Sequence, residues 1–340
     1  MSLELRPIDP RSASQAEYRA MTEFWNRMRS EVLPDDPPIP LEERIAGWKN
    51  LPDFVRVVAW TFWGAEEIVA VGNADYLQLE ENRHVLDFEI RVLPPYRRQG
   101  LGKRLFGYLV ETAERTGKRL MLTNTNERVP GGAAFMERIG AARGLETHTN
   151  QLDLRELDPN LIHGWLEQGV ASGYTLGFWE GPYPEDELAE FARFMAVMNT
   201  APRDDLDVED FKYSPELVRQ IERSLFAAGN RRWTYWVKAP DGRFAGYSEI
   251  TWNPSRPQIL HQQGTGVEPE FRGHGLGRWL KATMLERVLR EMPQARFVRT
   301  GNADSNAPML RINHQLGFKP YLSTIVWQVE TAKARAYLNG

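Results

Sequence analysis

The pattern of apolar and polar positions predicts two successive runs of strands, each followed by an amphipathic helix. In the first half, alternating apolar residues indicate strands that lead into a helix with an apolar face at Leu101, Leu105 and Leu109. A first helix capped by Ser12 is expected to run through Met28. The other elements predicted in this half are strands at 3–8, 54–62, 68–77, 85–92, 120–122 and 145–154, and helices at 41–48 and 132–139.

The second half repeats this plan. Asp241-Gly242 separates two of its strands, and this dipeptide is a strong hairpin signal. A repeat that is half a chain long indicates duplicated domains and not a solenoid, and the two domains are expected to cover 1–157 and 158–340. The predicted strands are 174–179, 233–237, 244–252, 260–267, 297–300 and 321–329, and the predicted helices are 185–198, 215–228, 276–289 and 309–316.

One twelve-residue segment is nearly repeated 175 positions later and contains Arg-x-x-Gly-x-Gly in both copies. Each copy begins at the end of a predicted strand and runs into a predicted helix. A strand end, a glycine loop and a helix start in that order favour anion binding, because the first N–H groups of a helix have no intrahelical acceptor. The copies are Val92-Leu93-Pro94-Pro95-Tyr96-Arg97-Arg98-Gln99-Gly100-Leu101-Gly102-Lys103 and Val267-Glu268-Pro269-Glu270-Phe271-Arg272-Gly273-His274-Gly275-Leu276-Gly277-Arg278.

The same segment also has a purely structural interpretation, in which the glycines only allow tight strand–turn–helix packing. The functional interpretation is that glycines let the backbone approach a pyrophosphate, while nearby basic residues add positive charge. A P-loop is excluded because Gly-Lys-Ser/Thr is absent, and a dinucleotide-binding fingerprint would follow the first strand of its unit. The basic residues are Arg97, Arg98, Lys103, Arg272 and Arg278.

Composition and charge narrow the class of protein. The formal net charge of −4 and the pI of about 6.0 argue against general binding to nucleic acids or anionic membranes. No apolar run reaches the roughly 18 residues that a membrane span needs, and a secretory signal pattern is lacking, so a cytoplasmic location is expected. The chain has no cysteine, and its six histidines lack metal-ligand spacing, so no metal is expected.

These loops resemble the acetyl-CoA loop of the GCN5-related N-acetyltransferase (GNAT) superfamily, which has Gln/Arg-x-x-Gly-x-Gly/Ala at the end of its fourth strand. The resemblance covers the chain as two tandem copies, an arrangement similar to that of mycothiol synthases. It implies a mixed α/β fold, with a mostly antiparallel sheet in each half that splays between its fourth and fifth strands. It also implies that Val92 and Val267 bind pantetheine through their backbones, and that Arg97–Lys103 and Arg272–Arg278 cradle the pyrophosphate of acetyl-CoA, a co-substrate.

After its fifth strand the family has an Asn, a small residue three positions later, a Tyr seven positions later and then Gly-Phe. The second half matches this pattern except at the tyrosine position, which is Asn313, and Asn306 is the implied cofactor contact. The same spacing in the first half gives Val129, Met136, Gly140 and Ala141, a poorer match. The family's usual tyrosine acid is therefore missing from both halves.

Acetyl transfer to an amine needs a base, a donor to the oxyanion and a proton for the thiolate. Glu89 lies on the strand that enters the first loop. Glu249 on the preceding strand and His261 are the candidate bases of the second half, while Tyr321 is a candidate for the missing acid. The structural alternative for each is a solvated strand face or a salt bridge. The aromatic residues of the second half are either core or the lining of a groove for an apolar amine.

The sequence therefore predicts an N-acetyltransferase that moves acetyl from acetyl-CoA to a primary amine of a small molecule, by direct attack in a ternary complex. Catalysis is expected in the second half, which keeps Asn306 and the Gly-Phe corner. One alternative is a non-catalytic acyl-CoA-binding or scaffold protein with degenerate domains. Another is aminoacyl transfer from tRNA, which the acidic balance and the intact pyrophosphate loops both disfavour.

Overall fold

The computed structural model describes residues 3–170 and 173–340, which contain the following elements. The strands are β1 (Glu4–Ile8), β2 (Val55–Gly64), β3 (Glu67–Leu77), β4 (Val85–Val92), β5 (Leu120–Asn126), β6 (Ala142–Asp153), β7 (Thr175–Glu180), β8 (Arg231–Lys238), β9 (Phe244–Trp252), β10 (Ile259–Val267), β11 (Phe297–Ala303) and β12 (Lys319–Glu330). The helices are α1 (Gln15–Val32), α2 (Leu41–Lys49), α3 (Leu101–Arg115), α4 (Gly131–Arg138), α5 (Pro159–Val170), α6 (Glu185–Phe194), α7 (Pro215–Ala227), α8 (Leu276–Glu291), α9 (Ala307–Gln315) and α10 (Thr331–Asn339).

The chain divides into two compact units. Unit 1 contains the residues up to Glu146, with 203–209 and 324–340, and unit 2 contains 147–202 and 210–323. The sheet of unit 1 has the order β1-β2-β3-β4-β5-β12, and that of unit 2 has the order β6-β11-β10-β9-β8-β7. Pairing is antiparallel except between β4 and β5 and between β10 and β11. The mixed α/β fold and the tandem repeat predicted from the sequence are both confirmed.

Each half of the sequence gives its last strand to the other unit. Residues 324–330 of β12 pair antiparallel with β5 in unit 1, and residues 147–153 of β6 pair antiparallel with β11 in unit 2. The helix after each exchanged strand follows it, so α10 lies in unit 1 and α5 in unit 2. The compact units thus differ from the predicted halves 1–157 and 158–340 in these segments.

The predicted cap of the first helix was wrong. Ser14, not Ser12, is the N-cap of α1: its side chain accepts from the N–H of Glu17, and the Glu17 carboxylate accepts from the N–H of Ser14. This capping box satisfies two orphan N–H groups, so it outcompetes the earlier serine. The hydroxyl of Ser12 instead donates to Asp9. Helices α5 and α10 were not predicted at all.

The two faces of each sheet differ at the strand that pairs with the one entering the glycine loop. A Cβ on Gly72 would lie 3.1 Å from Leu105 of α3, and a Cβ on Gly246 would lie 3.2 Å from Leu280 of α8. These faces of β3 and β9 are therefore covered by the helix that follows the loop. Because side chains alternate along a strand, Asn73 and Glu249 lie on the opposite face of their sheets.

Candidate functional site

The two glycine loops have the same backbone conformation. In both, a 3₁₀ turn (Pro94–Tyr96 or Pro269–Phe271) precedes an extended arginine, and the helix N-cap is a glycine in the left-handed region. Gly100 has φ 84° and Gly275 has φ 77°. A side chain at this φ would strain the backbone, so glycine is required there. The shared conformation shows that the repeated sequence encodes one repeated structure.

The helices that follow these loops begin without a side-chain cap. Their first N–H groups therefore remain available to an anion, which the positive end of the helix dipole also favours. Gly102 lies in the first turn of α3, and a Cβ there would have no protein atom within 4 Å. No contact among the described residues requires glycine at that position, and its small size leaves room for a close approach from outside. This observation fits a pyrophosphate.

Each sheet splays directly in front of its loop. Pairing between β4 and β5 ends at Asp87 and Leu122, although the strands continue to Val92 and Asn126. Pairing between β10 and β11 ends at His261 and Arg299, and these strands continue to Val267 and Ala303. We call the openings beyond these pairs the first cleft and the second cleft. Both match the splay that the family resemblance implies.

The backbones of Val92 and Val267 are oriented toward these clefts. Val92 lies opposite Ala70, and the next residue, Leu93, donates its N–H to the Val69 carbonyl at 2.9 Å. In an antiparallel ladder this pattern makes Val92 a non-hydrogen-bonded position, so its N–H and C=O point away from β3. Val267 has the same arrangement against β9, because the N–H of Glu268 donates to the Ala245 carbonyl at 2.9 Å. Both N–H groups therefore point toward the clefts, and their predicted role in binding pantetheine stays a prediction.

The first arginine of each motif braces the loop. The Nε of Arg97 donates to the Val92 carbonyl at 2.9 Å, and its terminal nitrogens donate to the two oxygens of Glu31 at 2.6 and 2.5 Å. Arg272 donates to the Val267 carbonyl at 2.9 Å and to Thr200 Oγ1 at 2.7 Å. Both guanidinium groups therefore brace the loop backbone. Glu31 neutralises the charge of Arg97, whereas Arg272 is exposed and has neutral acceptors.

The other loop side chains divide into anchors and exposed groups. Leu101 and Leu276 are buried and fix the helix starts in the cores, and Gln99 donates to the Pro95 carbonyl. The ammonium of Lys103 lies over the ring of Tyr337, and the guanidinium of Arg278 lies over the ring of Trp165. His274 lies beside Tyr174. Arg98 is exposed at φ 62°, where the second loop has Gly273.

The cleft strands differ between the units. The register of β10 against β9 shifts by one residue between Gln262 and Thr265, whereas β4 pairs with β3 without a shift. Such a bulge leaves backbone groups unpaired and re-aims the strand. The bulge lies between the last residue paired to β11 and the glycine loop, so it gives the second cleft polar backbone that the ladder of the first cleft lacks.

Glu249 is a largely buried carboxylate on β9, next to this bulge. Its Oε2 accepts from the Tyr183 hydroxyl at 2.5 Å and from Thr234 Oγ1 at 3.2 Å, and the Nε of Arg232 lies 3.6 Å away. Burial raises the pKa of Glu249 despite the opposing effect of Arg232. Burial and the adjacent carboxylate raise the pKa of Tyr183 well above its ordinary value, so its hydroxyl stays a donor. Sequence reasoning found Glu249 but not Tyr183, which lies 66 positions away.

The remaining predicted site residues have different surroundings. Glu89 accepts from the Nε of Arg91 at 2.6 Å, so it forms a salt bridge, the structural alternative to a role as base. His261 is exposed and lies opposite Thr251, on the same face of the sheet as Glu249. The guanidinium of Arg299 lies 4.4 Å from the ring centroid of Tyr321. Asn306 caps α9 through the N–H of Met309. The structure thus gives Glu89 and Asn306 structural partners, and their catalytic or cofactor roles stay predictions.

Two carboxylates of unit 1 were not chosen from the sequence. Asp75 on β3 lies directly opposite Asp87 on β4, on the face that α3 does not cover. Burial, together with the charges of Asp87 and Glu89, raises the pKa of Asp75 to about 7. Desolvation by the surrounding protein raises the pKa of Asp87 to about 6, although its side chain is exposed at the surface. The sequence signal that could have identified Asp75 is an aspartate within the predicted apolar strand 68–77.

Neither a metal cluster nor a membrane-spanning helix is found in the part of the chain that the structure describes. No group of three or more His, Cys, Asp and Glu side chains could hold a metal ion there. Likewise, no helix among the described residues is long and apolar enough to cross a membrane.

Comparisons with known proteins agree with this geometry. The tandem GNAT protein from the clavulanic acid biosynthesis pathway is 25% identical, with a TM-score of 0.77 over 97% of this chain and 99% of that chain. A GCN5-related N-acetyltransferase from Sphaerobacter thermophilus is 16% identical, with a TM-score of 0.67 over 97% of this chain and 96% of that one. No curated protein matches significantly. The model of the acetyltransferase (GNAT) family matches residues 18–141 and 194–318, so the chain belongs to that family.

Proposed function

We propose that unit 2 transfers the acetyl group of acetyl-CoA to a primary amine of a small molecule, in a complex that holds both substrates. The observation that carries the proposal is the position of Glu249, a largely buried carboxylate with a raised pKa beside the bulged strand that ends at the second glycine loop. A similar tandem protein comes from the clavulanic acid pathway, which supports a small-molecule acceptor.

The residues of the second cleft fit acetyl-CoA. The N–H groups after Gly275 would hold the pyrophosphate, and the N–H of Val267 would hold an amide of the pantetheine chain. Bound acetyl-CoA supplies a thioester carbonyl for attack by an amine. Glu249 would take the proton of the acceptor ammonium, because a carboxylate whose pKa is raised toward neutrality is a stronger base. Tyr183 and Thr234 hold one oxygen of that carboxylate and leave the other for the acceptor.

Unit 1 has the same loop but not the same base. Val92 lies opposite Ala70 and Val267 lies opposite Gly246, so Asn73 occupies the position of Glu249. An asparagine cannot accept a proton at neutral pH. This difference and the unshifted register of β4 favour a second candidate function for unit 1, the binding of acyl-CoA without transfer.

The test is a thiol-release assay with acetyl-CoA and a panel of amines: 2-phenylethylamine, tyramine, spermidine and glucosamine. Glu249→Gln keeps an acceptor for Tyr183 but removes the base, and we expect it to lower kcat at least about 100-fold. Glu286→Gln, at an exposed position of α8, is the matched control and should leave kcat unchanged. Tight CoA binding by the wild type with no thiol release from any amine would support the non-catalytic alternative instead.

A further inference from the structure

Lys281 is a buried lysine in the middle of α8. It is 2% exposed, and among the described residues it has no ion-pair partner; its Nζ lies 5.6 Å from the ring centroid of Phe318. The equivalent residue of unit 1 is Phe106, because the two helices start at Leu276 and Leu101. Burial lowers the pKa of Lys281 to about 7.

Two more apolar positions of unit 1 are polar in unit 2. Phe106 packs in one hydrophobic cluster with Phe88 and Met136, and the ring centroids of Phe88 and Phe106 are 5.6 Å apart. Gln262 follows Leu260 by two residues, as Phe88 follows Leu86, so these two positions correspond. Asn313 precedes Gly317 by four residues, as Met136 precedes Gly140, so these two also correspond. All three positions are buried in both units. Unit 2 has thus replaced an apolar cluster by a lysine and two amides.

Two of these polar groups, Gln262 and Asn313, contact the strands on either side of the second cleft. Gln262 directly follows His261, the last residue of β10 that pairs with β11, and its Nε2 donates to the Glu249 carbonyl at 2.6 Å. On the other side of the cleft, Asn313 Nδ2 donates to Oδ1 of Asn302, which lies on the part of β11 beyond its pairing with β10. The Oδ1 of Asn313 is buried without a hydrogen-bond partner.

Burial of a lysine without a carboxylate costs free energy that a methionine or phenylalanine would not cost. Asn313 occupies the tyrosine position of the family pattern, and an amide cannot release a proton there. We propose that Lys281 donates the proton that the departing CoA thiolate requires. This inference rests on the proposed function, because it supplies the acid for that reaction.

The proposed acetyl transfer balances in both protons and electrons. The acceptor nitrogen forms the C–N bond and gives its proton to Glu249, while the C–S bond breaks and its electron pair goes to sulfur. An N–H proton of the Lys281 ammonium moves to the sulfur, and the neutral amine recovers a proton from solvent. An ammonium group that ionises near neutral pH is a stronger acid than an ordinary lysine, which suits this step.

The test compares Lys281→Met with the wild type, using acetyl-CoA and the amine of the panel that reacts fastest. We expect kcat to fall about 100-fold, with KM for acetyl-CoA within about twofold. We also expect the melting temperature to rise, because an uncompensated buried amine is removed. Thr283→Val is the matched control: Thr283 is a buried polar residue of α8 that donates only to the Trp279 carbonyl, and its replacement should leave kcat unchanged.

Lys281→Arg separates proton donation from simple charge, since a guanidinium does not release a proton near neutral pH. We expect this variant to remain slow; wild-type kcat in it would overturn proton donation. An active wild type with equally active Lys281→Met would overturn the Lys281 proposal alone, as would a fall in melting temperature together with loss of CoA binding. Absence of thiol release from the wild type would overturn the proposed function, and the role of Lys281 with it.

Discussion

The indole N–H of Trp327 donates a hydrogen bond to Thr125 Oγ1 at 2.8 Å, across 202 positions of the chain. Trp327 is 1% exposed and belongs to the same hydrophobic cluster as Phe106 and Met121. The helix after this strand also contacts unit 1, because Arg335 donates two hydrogen bonds to the carboxylate of Glu114 on α3. The end of the chain is therefore part of the core of unit 1.

Deletion of residues 324–340 should unfold unit 1. The deletion removes one strand of its sheet and exposes the cluster around Phe106, and a single large-to-small change of such a buried aromatic residue already costs about 3–5 kcal/mol. We expect the shortened chain to lose one of its two unfolding transitions in calorimetry. A chain that ends at Leu338 is the control and should keep both transitions. Two native transitions in the shortened chain would contradict this account of unit 1.

The elements near the glycine loops could be predicted from the sequence because their signals are local. Gly100 has φ 84°, a conformation that favours glycine, and the alternation of apolar residues in the preceding strand leads directly into its loop. The exchange of β6 and β12 could not be predicted, since both strands are twelve residues long and the choice of partner depends on distant residues. Tyr183 was missed as a partner of Glu249 for the same reason.

Gly102→Ala should change stability and ligand binding in opposite directions. A Cβ at this position meets no protein atom, so alanine should stabilise α3 by about 0.5–1 kcal/mol. The same methyl group would obstruct an anion at the first turn, so CoA should bind unit 1 at least about tenfold more weakly. Calorimetric titration with CoA and thermal unfolding of the same variant measure both effects. A more stable variant with unchanged CoA binding would mean that the glycine does not face the ligand.

Arg97 and Glu31 should be energetically coupled. Their bidentate contact joins the first glycine loop to α1, and both side chains are partly buried. We expect a double-mutant cycle with Arg97→Met and Glu31→Gln to give a coupling of about 1 kcal/mol in the free energy of unfolding of unit 1. Arg272→Met in unit 2 is the comparison, because Thr200 offers a neutral partner. Additive effects of the two unit 1 substitutions would show that the pair contributes nothing to stability.

Asp75 should make unit 1 less stable as pH rises. Its pKa is about 7 in the folded protein and near 3.8 in the unfolded chain, so between these values the folded state retains a proton that the unfolded state has lost. The free energy of unfolding therefore falls as pH increases from about 4 to 7, and the cost of the buried charge is fully present above pH 7. Asp87, with a pKa of about 6, acts in the same direction.

Asp75→Asn removes this cost because an amide does not ionise. At pH 8 we expect the variant to be more stable than the wild type by at least about 1 kcal/mol, or about 2–4 °C in the melting temperature of unit 1. At pH 4 the difference should vanish, since Asp75 is then neutral in the folded wild type. Asp35→Asn, at an exposed position, is the control and should show no such pH dependence. An Asp75→Asn variant that is less stable at pH 8 would mean that the fold stabilises the ionised carboxylate, which is incompatible with a pKa raised by partial burial.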